Sequence, residues 1–190
     1  MSTTLLSFDT SGPYCAACIL QDGQVRATAL EEMSRGQAER LMPMLEELLA
    51  SQSLTWQDLT AISVGIGPGN FTGIRISVSA ARGLALGLDA PAIGVSSFDA
   101  LRLGTVGTAA VPAPRDMAYL AVNDADPLQV PLADLPPGTL QPTDPTQLVI
   151  NIAQMATRAT PPFSPPAPLY IRPADAAPPR DAPPVILDDA

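Results

Sequence analysis

The sequence predicts a mixed α/β protein. Three β-rich runs stand at its start, the second and third joined by Asp22-Gly23, a strong two-residue hairpin signal. Helical and extended patterns then alternate through Val95. A glycine-rich turn at 67–69 joins one of those strands to a helix dense in small residues.

The first run, Thr3 to Phe8, ends in the turn Asp9-Thr10-Ser11-Gly12-Pro13, and Tyr14 to Leu20 reads as the second strand. Cys15 and Cys18 are three apart on it, hence on opposite faces, and read as core cysteines rather than half of a metal site. After the hairpin a third strand runs from Gln24 to Leu30. Ala38, Leu41, Met42, Leu45, Leu48 and Leu49 then recur at helical spacing, with Glu39, Arg40, Glu46 and Glu47 opposite. Pro43 interrupts this pattern and predicts either a kink near Glu39 or a start near Met42. A fourth strand is expected over Ala61 to Ile66, a helix from about Phe71 to Leu88 capped by Asn70 or Thr72, and a fifth strand over Ala92 to Val95. Ser96 or Ser97 caps a short helix running to about Leu103.

The resulting order βββ-α-β-α-β-α fits a mixed sheet covered by helices, the ribonuclease-H-like arrangement. From Gly104 to Pro114 the composition turns to Gly, Ala, Thr and Pro, which suggests a domain joint. Beyond it, Met117 to Val122 reads as a strand, 126–144 is broken by prolines, and Thr146 to Arg158 reads as a helix. Leu169-Tyr170-Ile171 is a candidate further strand. The organisation expected is a first domain at 1–103, a reduced second domain at 104–174, and a proline-rich, disordered tail at 175–190.

Composition narrows the chemistry. The chain carries a net charge of −9, no lysine and no basic block, so it lacks the footprint of a protein that grips nucleic acid unaided. Histidine is absent, which removes the commonest general base, every Ser-His or Cys-His triad and the usual zinc sites. No apolar run reaches the roughly 18 residues of a membrane span, and no leader precedes the first strand, so a soluble cytoplasmic protein is expected.

The stretch Val64 to Gly87, VGIGPGNFTGIRISVSAARGLALG, draws two readings. Its turn, with Gly67 and Gly69, is either a phosphate cradle at a helix N-terminus or a tight turn with a close-packed helix behind it. It lacks the lysine of a Walker loop, and Asn70 stands where a dinucleotide fingerprint needs glycine. Gly73, Ser77 and Ala81 lie one turn apart and leave one helix face almost bare. Arg75 and Arg82 share another face, either as solvated charges or as partners for acids on another subunit.

With GIGPGNFTGIRISVSAARGLALG in view, the first half resembles the TsaB (YeaZ) family. Asp9-Thr10-Ser11, the Asp22-Gly23 hairpin, Leu41-Met42-Pro43, Gly94-Val95-Ser96-Ser97 and Leu169-Tyr170-Ile171-Arg172 fit the same pattern. The match covers about residues 4–103 well and the remainder thinly. The resemblance implies an actin-like ATPase (ASKHA) fold of two ribonuclease-H-like halves, here with the second half truncated. It implies a non-catalytic scaffold subunit in making threonylcarbamoyladenosine on tRNAs that read codons starting with A. Such a subunit pairs with TsaD and TsaE, pairs with itself when TsaD is absent, and meets tRNA only through the complex, with ATP or ADP at the complex and no membrane role.

The resemblance further implies an interface on the two early helices. The residues expected there are Leu41, Met42, Leu45, Gly73, Arg75, Ser77 and Ala81. Asp9 and Thr10, with Gly67 and Gly69, are candidate nucleotide contacts; the alternative for Asp9 is a turn residue capping its own loop. No catalytic or metal-binding residue is expected. Metal-bearing relatives carry two histidines where Ser97 and Leu101 stand here. Gln37 stands where many relatives have histidine, and Ala113-Pro114-Arg115 replaces an acidic residue leading to Arg. The competing readings are a free-standing actin-like ATPase and a homodimeric scaffold without an enzymatic partner.

Overall fold

A computed structural model describes residues 2–123 and 125–171. The expected tail at 175–190 and Arg172 lie outside them. In chain order the elements are β1 (Thr4–Asp9), β2 (Tyr14–Gln21), β3 (Gln24–Glu32), α1 (Gln37–Ser51), β4 (Ala61–Gly65), α2 (Phe71–Leu88), β5 (Ala92–Val95) and α3 (Ser97–Leu101). There follow β6 (Ala109–Ala113), β7 (Met117–Ala121), β8 (Leu128–Pro131) and α4 (Pro145–Ala156).

The first sheet has the order β3-β2-β1-β4-β5. Strands β1, β2 and β3 pair antiparallel, whereas β4 lies parallel to both β1 and β5. This is the ribonuclease-H-like sheet that the element order predicts. The hairpin turns at Asp22 and Gly23, both with positive φ (50° and 79°), as a type I′ turn requires. A second sheet, β6-β7-β8, is a short antiparallel meander.

Both faces of the first sheet are covered, and alternation along the strands feeds two cores. Leu6, Phe8, Cys15, Ala17, Ile19, Ile62 and Val64 face α1 and α2. Leu5, Ala16, Cys18, Leu20 and Val95 face α4. Cys15 and Cys18 therefore point to opposite faces, both fully buried, and burial pushes their thiols up to about 11 and about 12 respectively.

Several expectations are corrected. Helix α1 starts at Gln37 and continues through Pro43. The proline is on the exposed face, so the Glu39 carbonyl that it deprives of a partner lies on the water side. The proposed joint contains a strand, β6, and the proline-broken region contains β8. Leu169-Tyr170-Ile171 forms no strand, because prolines at 165, 166 and 168 remove donors; one backbone bond, Leu169 N–H to the Ile66 carbonyl at 2.8 Å, and a side-chain bond from Arg75 to Tyr170 tie the segment down. The composition boundary at 103/104 also cuts through a shared core, since Leu148, Val149, Ile152 and Ala153 of α4 pack on the first sheet.

Candidate functional site

The end of β1 and the glycine turn form one interlocked cluster. Asn70 starts α2: its side-chain oxygen accepts from Gly73 N–H at 2.8 Å, and its own N–H donates to the Ser11 carbonyl at 2.6 Å. Thr10 Oγ1 donates to the Gly73 carbonyl at 2.6 Å. A Cβ at Gly73 would land on the Thr10 carbonyl oxygen, and one at Gly69 would strike the Ser11 backbone. Gly67, at φ 95°, lies against Ile74 and the Leu169 carbonyl and accepts from Ser97 N–H at 2.8 Å. These glycines serve close backbone approach, which decides for the tight turn over the phosphate cradle.

Asp9 is 1 % exposed. Its carboxylate accepts from Ser11 N–H (3.2 Å), Ser11 Oγ (2.8 Å) and Tyr14 OH (2.7 Å). Burial raises its pKa from the usual carboxylate value, and the bonds from Tyr14 and Ser11 pull it partly back. Burial, with the Asp9 charge beside it, raises the Tyr14 phenol as well. Asp9, Thr10 and Gly67 are thus enclosed within the chain, whereas Gly69 is half-buried and borders a cavity. In this structure Asp9, Thr10 and Gly67 hold the turn together, and Gly69 stands at the edge of the cleft.

Five of the seven expected interface residues are likewise enclosed in this structure. Leu41, Leu45, Gly73, Ser77 and Ala81 are buried inside the chain. Ser77 Oγ donates to the Ile74 carbonyl at 3.1 Å, and Ala81 belongs to the core beneath α1 and α2. The bare ridge of α2 faces its own sheet, because the sheet is what a small-residue face lets the helix approach. Met42 is half-buried and Arg75 is exposed. The Arg75 guanidinium stacks 3.9 Å from the Phe71 ring centroid, and its Nε donates to Tyr170 OH at 2.8 Å.

The accessible part of the two helices is a neighbouring stripe. An open groove of about 460 Å³ lies between them, lined chiefly by Met42, Trp56, Ala80, Leu84 and Leu88, with Gly83 and Gly87 on α2. A Cβ at either glycine would meet nothing within 4 Å, and Leu86 beside them is 86 % exposed. The sequence holds the signal for this face, Ala80 with Gly83, Leu84 and Gly87 at helical spacing, one helical phase away from the ridge first singled out.

A second cavity, of about 430 Å³, opens where the β1–β2 turn, the starts of α1, α2 and α4, and the end of β6 converge. Its wall includes Pro13, Tyr14, Val111, Pro114, Leu148 and Ser97. Ser97 is 1 % exposed, and its hydroxyl has no hydrogen-bond partner among the described residues. The sequence offered Ser97 as a helix cap and as a position where metal-bearing relatives carry histidine; Ser96 fills the cap role, accepting from Asp99 N–H at 3.0 Å. Among the described residues no cluster of three metal-ligating side chains occurs.

The order of the first sheet and its helical covers give this chain the fold of a ribonuclease-H-like unit, as found in actin-like proteins. Comparison with known proteins narrows the class. A family model described as TsaD, tRNA N6-adenosine threonylcarbamoyltransferase, matches residues 30–121. The tRNA threonylcarbamoyladenosine biosynthesis protein TsaB of Escherichia coli K12 is 37 % identical over 100 residues, 53 % of this chain and 43 % of that protein. TsaB of Bacillus subtilis is 37 % identical over 98 residues, 52 % of this chain and 43 % of that one. YeaZ from Pseudomonas aeruginosa has the same fold, with a TM-score of 0.67 at 24 % identity over 82 % of this chain and 92 % of that one. Over its first half, the chain is similar to TsaB proteins. The matched region spans under half the length of these curated relatives.

Proposed function

We propose that this chain is a non-catalytic subunit in the biosynthesis of threonylcarbamoyladenosine on tRNA, pairing through the groove between α1 and α2 with a TsaD-type protein. The observation that carries the reading is the uncovered apolar groove with its two glycines, which offers a helix of another subunit a close seat. The TsaB names of its relatives support the pathway. The absence of histidine from the sequence and the enclosure of Asp9 support a supporting role rather than a bond-making one. Without that partner the same groove pairs two copies of the chain. A TsaE-type ATPase joins the assembly, and tRNA is held by the other members, since the −9 charge repels its phosphates. Among the described residues no helix is long and apolar enough to cross a membrane.

The test is size-exclusion chromatography of the chain with and without its cognate TsaD-type protein, followed by assay of tRNA modification. Co-elution and dependence of modification on this chain support the reading. Separate elution, or modification by the chain alone, contradicts it.

A further inference from the structure

The actin-like class implies a nucleotide with its metal at the end of β1, and the residues here do not fit that group. Both Asp9 oxygens are engaged by Ser11 and Tyr14, and the Thr10 hydroxyl by the Gly73 carbonyl. No arginine lines the neighbouring cavity, the sequence has no lysine, and the one ionisable carboxylate on the wall is that of Asp144, which caps α4. Arg115 follows the lining Pro114 in sequence but is exposed and outside the wall. A polyphosphate placed there would lie beside a carboxylate, with no cation in the wall to meet it.

We infer that this cleft instead takes a small, uncharged, planar molecule of nucleoside size. Its volume of about 430 Å³ falls within the range of small-molecule sites. The walls are mainly apolar: the rings of Pro13, Pro112, Pro114 and Pro145 and the Tyr14 ring give flat C–H and π surfaces that suit a heterocycle. Two polar features there lack a protein partner. One is the buried Ser97 hydroxyl. The other is the backbone N–H of Gln37, the wall residue that begins α1, a helix with no side-chain cap. A buried hydroxyl without a partner is costly, and a ligand carrying a hydrogen-bonding edge relieves it. Because the cleft is separate from the α1/α2 groove, binding is read on the chain alone, and failure here leaves the partner reading standing.

Adenosine and ATP with Mg²⁺ are suitable probes, since they share base and sugar and differ in charge. Titration into the full chain, followed by calorimetry and ligand-observed NMR, is expected to show adenosine binding at least about 10-fold tighter than ATP. Ala113→Phe, which fills the cleft from the end of β6, is expected to abolish adenosine binding with the melting temperature retained. Ser97→Ala is expected to weaken it about 3- to 10-fold, the value of one hydrogen bond. If Ala113→Phe fails to fold, the Ser97→Ala comparison decides. ATP binding as tightly as adenosine, no binding of either, or adenosine binding unchanged in the variants would overturn the inference.

Discussion

The phenol of Tyr14 donates to the carboxylate of Asp9 at 2.7 Å, and both groups are buried at the junction of β1, β2 and the glycine turn. This bond joins the start of β2 to the end of β1, across the turn that connects them. It also encloses the carboxylate most suggestive of chemistry within the chain.

Tyr14→Phe removes one donor from a buried carboxylate and is expected to cost about 1.5–3 kcal/mol. The pKa of Asp9 is already raised in the fold, so the folded state holds its proton to a higher pH than the unfolded state does. Its contribution to stability is therefore fully present below the ordinary carboxylate pKa and declines as pH rises through the raised value. Losing the Tyr14 bond pushes that value higher still, so the stability lost by the variant grows as pH rises through the raised value. Urea unfolding across a pH series from acid to alkaline checks this, and a loss that shrinks as pH rises would contradict it.

The glycines of α2 divide by environment. Gly83→Ala and Gly87→Ala place a methyl in open space and are expected to raise stability by about 0.5–1 kcal/mol each, the helix-propensity gain. Gly73→Ala drives its methyl into the Thr10 carbonyl and is expected to destabilise the fold. Denaturant midpoints of the three variants give the ordering.

Ala81→Leu and Ser77→Leu overpack a fully buried contact between α2 and the sheet. Each is expected to cost at least about 1–3 kcal/mol of folding stability. A thermal melt of either variant that matched the parent protein would show the ridge to be accessible after all.

Arg75 and Tyr170 hold the segment after α4 against the start of α2. Tyr170→Ala is expected to speed hydrogen exchange at the Leu169 amide, which bonds the Ile66 carbonyl, while global stability falls by only about 1 kcal/mol. Unchanged exchange there would mean that the proline segment is held by its other contacts.

Much of the first half was legible because its signals are local. Asp22-Gly23 dictates the hairpin, Asn70 caps α2, and the two cysteines follow strand alternation onto opposite faces. The phase of α2 was not legible. Two stripes of small residues, Gly73-Ser77-Ala81 and Ala80-Gly83-Gly87, satisfy the same spacing, and only the position of the sheet decides which is buried. Of the two readings of Pro43, the helix start near Met42 fails, because the cost of the proline depends on whether its side of α1 meets water. The attachment of α4 to the first sheet depends on contacts far apart in sequence, such as Ser7 Oγ to the Val149 carbonyl at 3.3 Å, which no local pattern encodes.

The partner-binding role of the α1/α2 groove is tested by one titration: the chain and its Gly83→Trp variant, each into the cognate TsaD-type protein by calorimetry. A Cβ at Gly83 meets nothing in the free chain, so the variant should melt like the parent. Its affinity should fall by at least about 10-fold, because the indole occupies the seat of the partner. Full affinity in a folded Gly83→Trp variant would contradict the assignment of this groove.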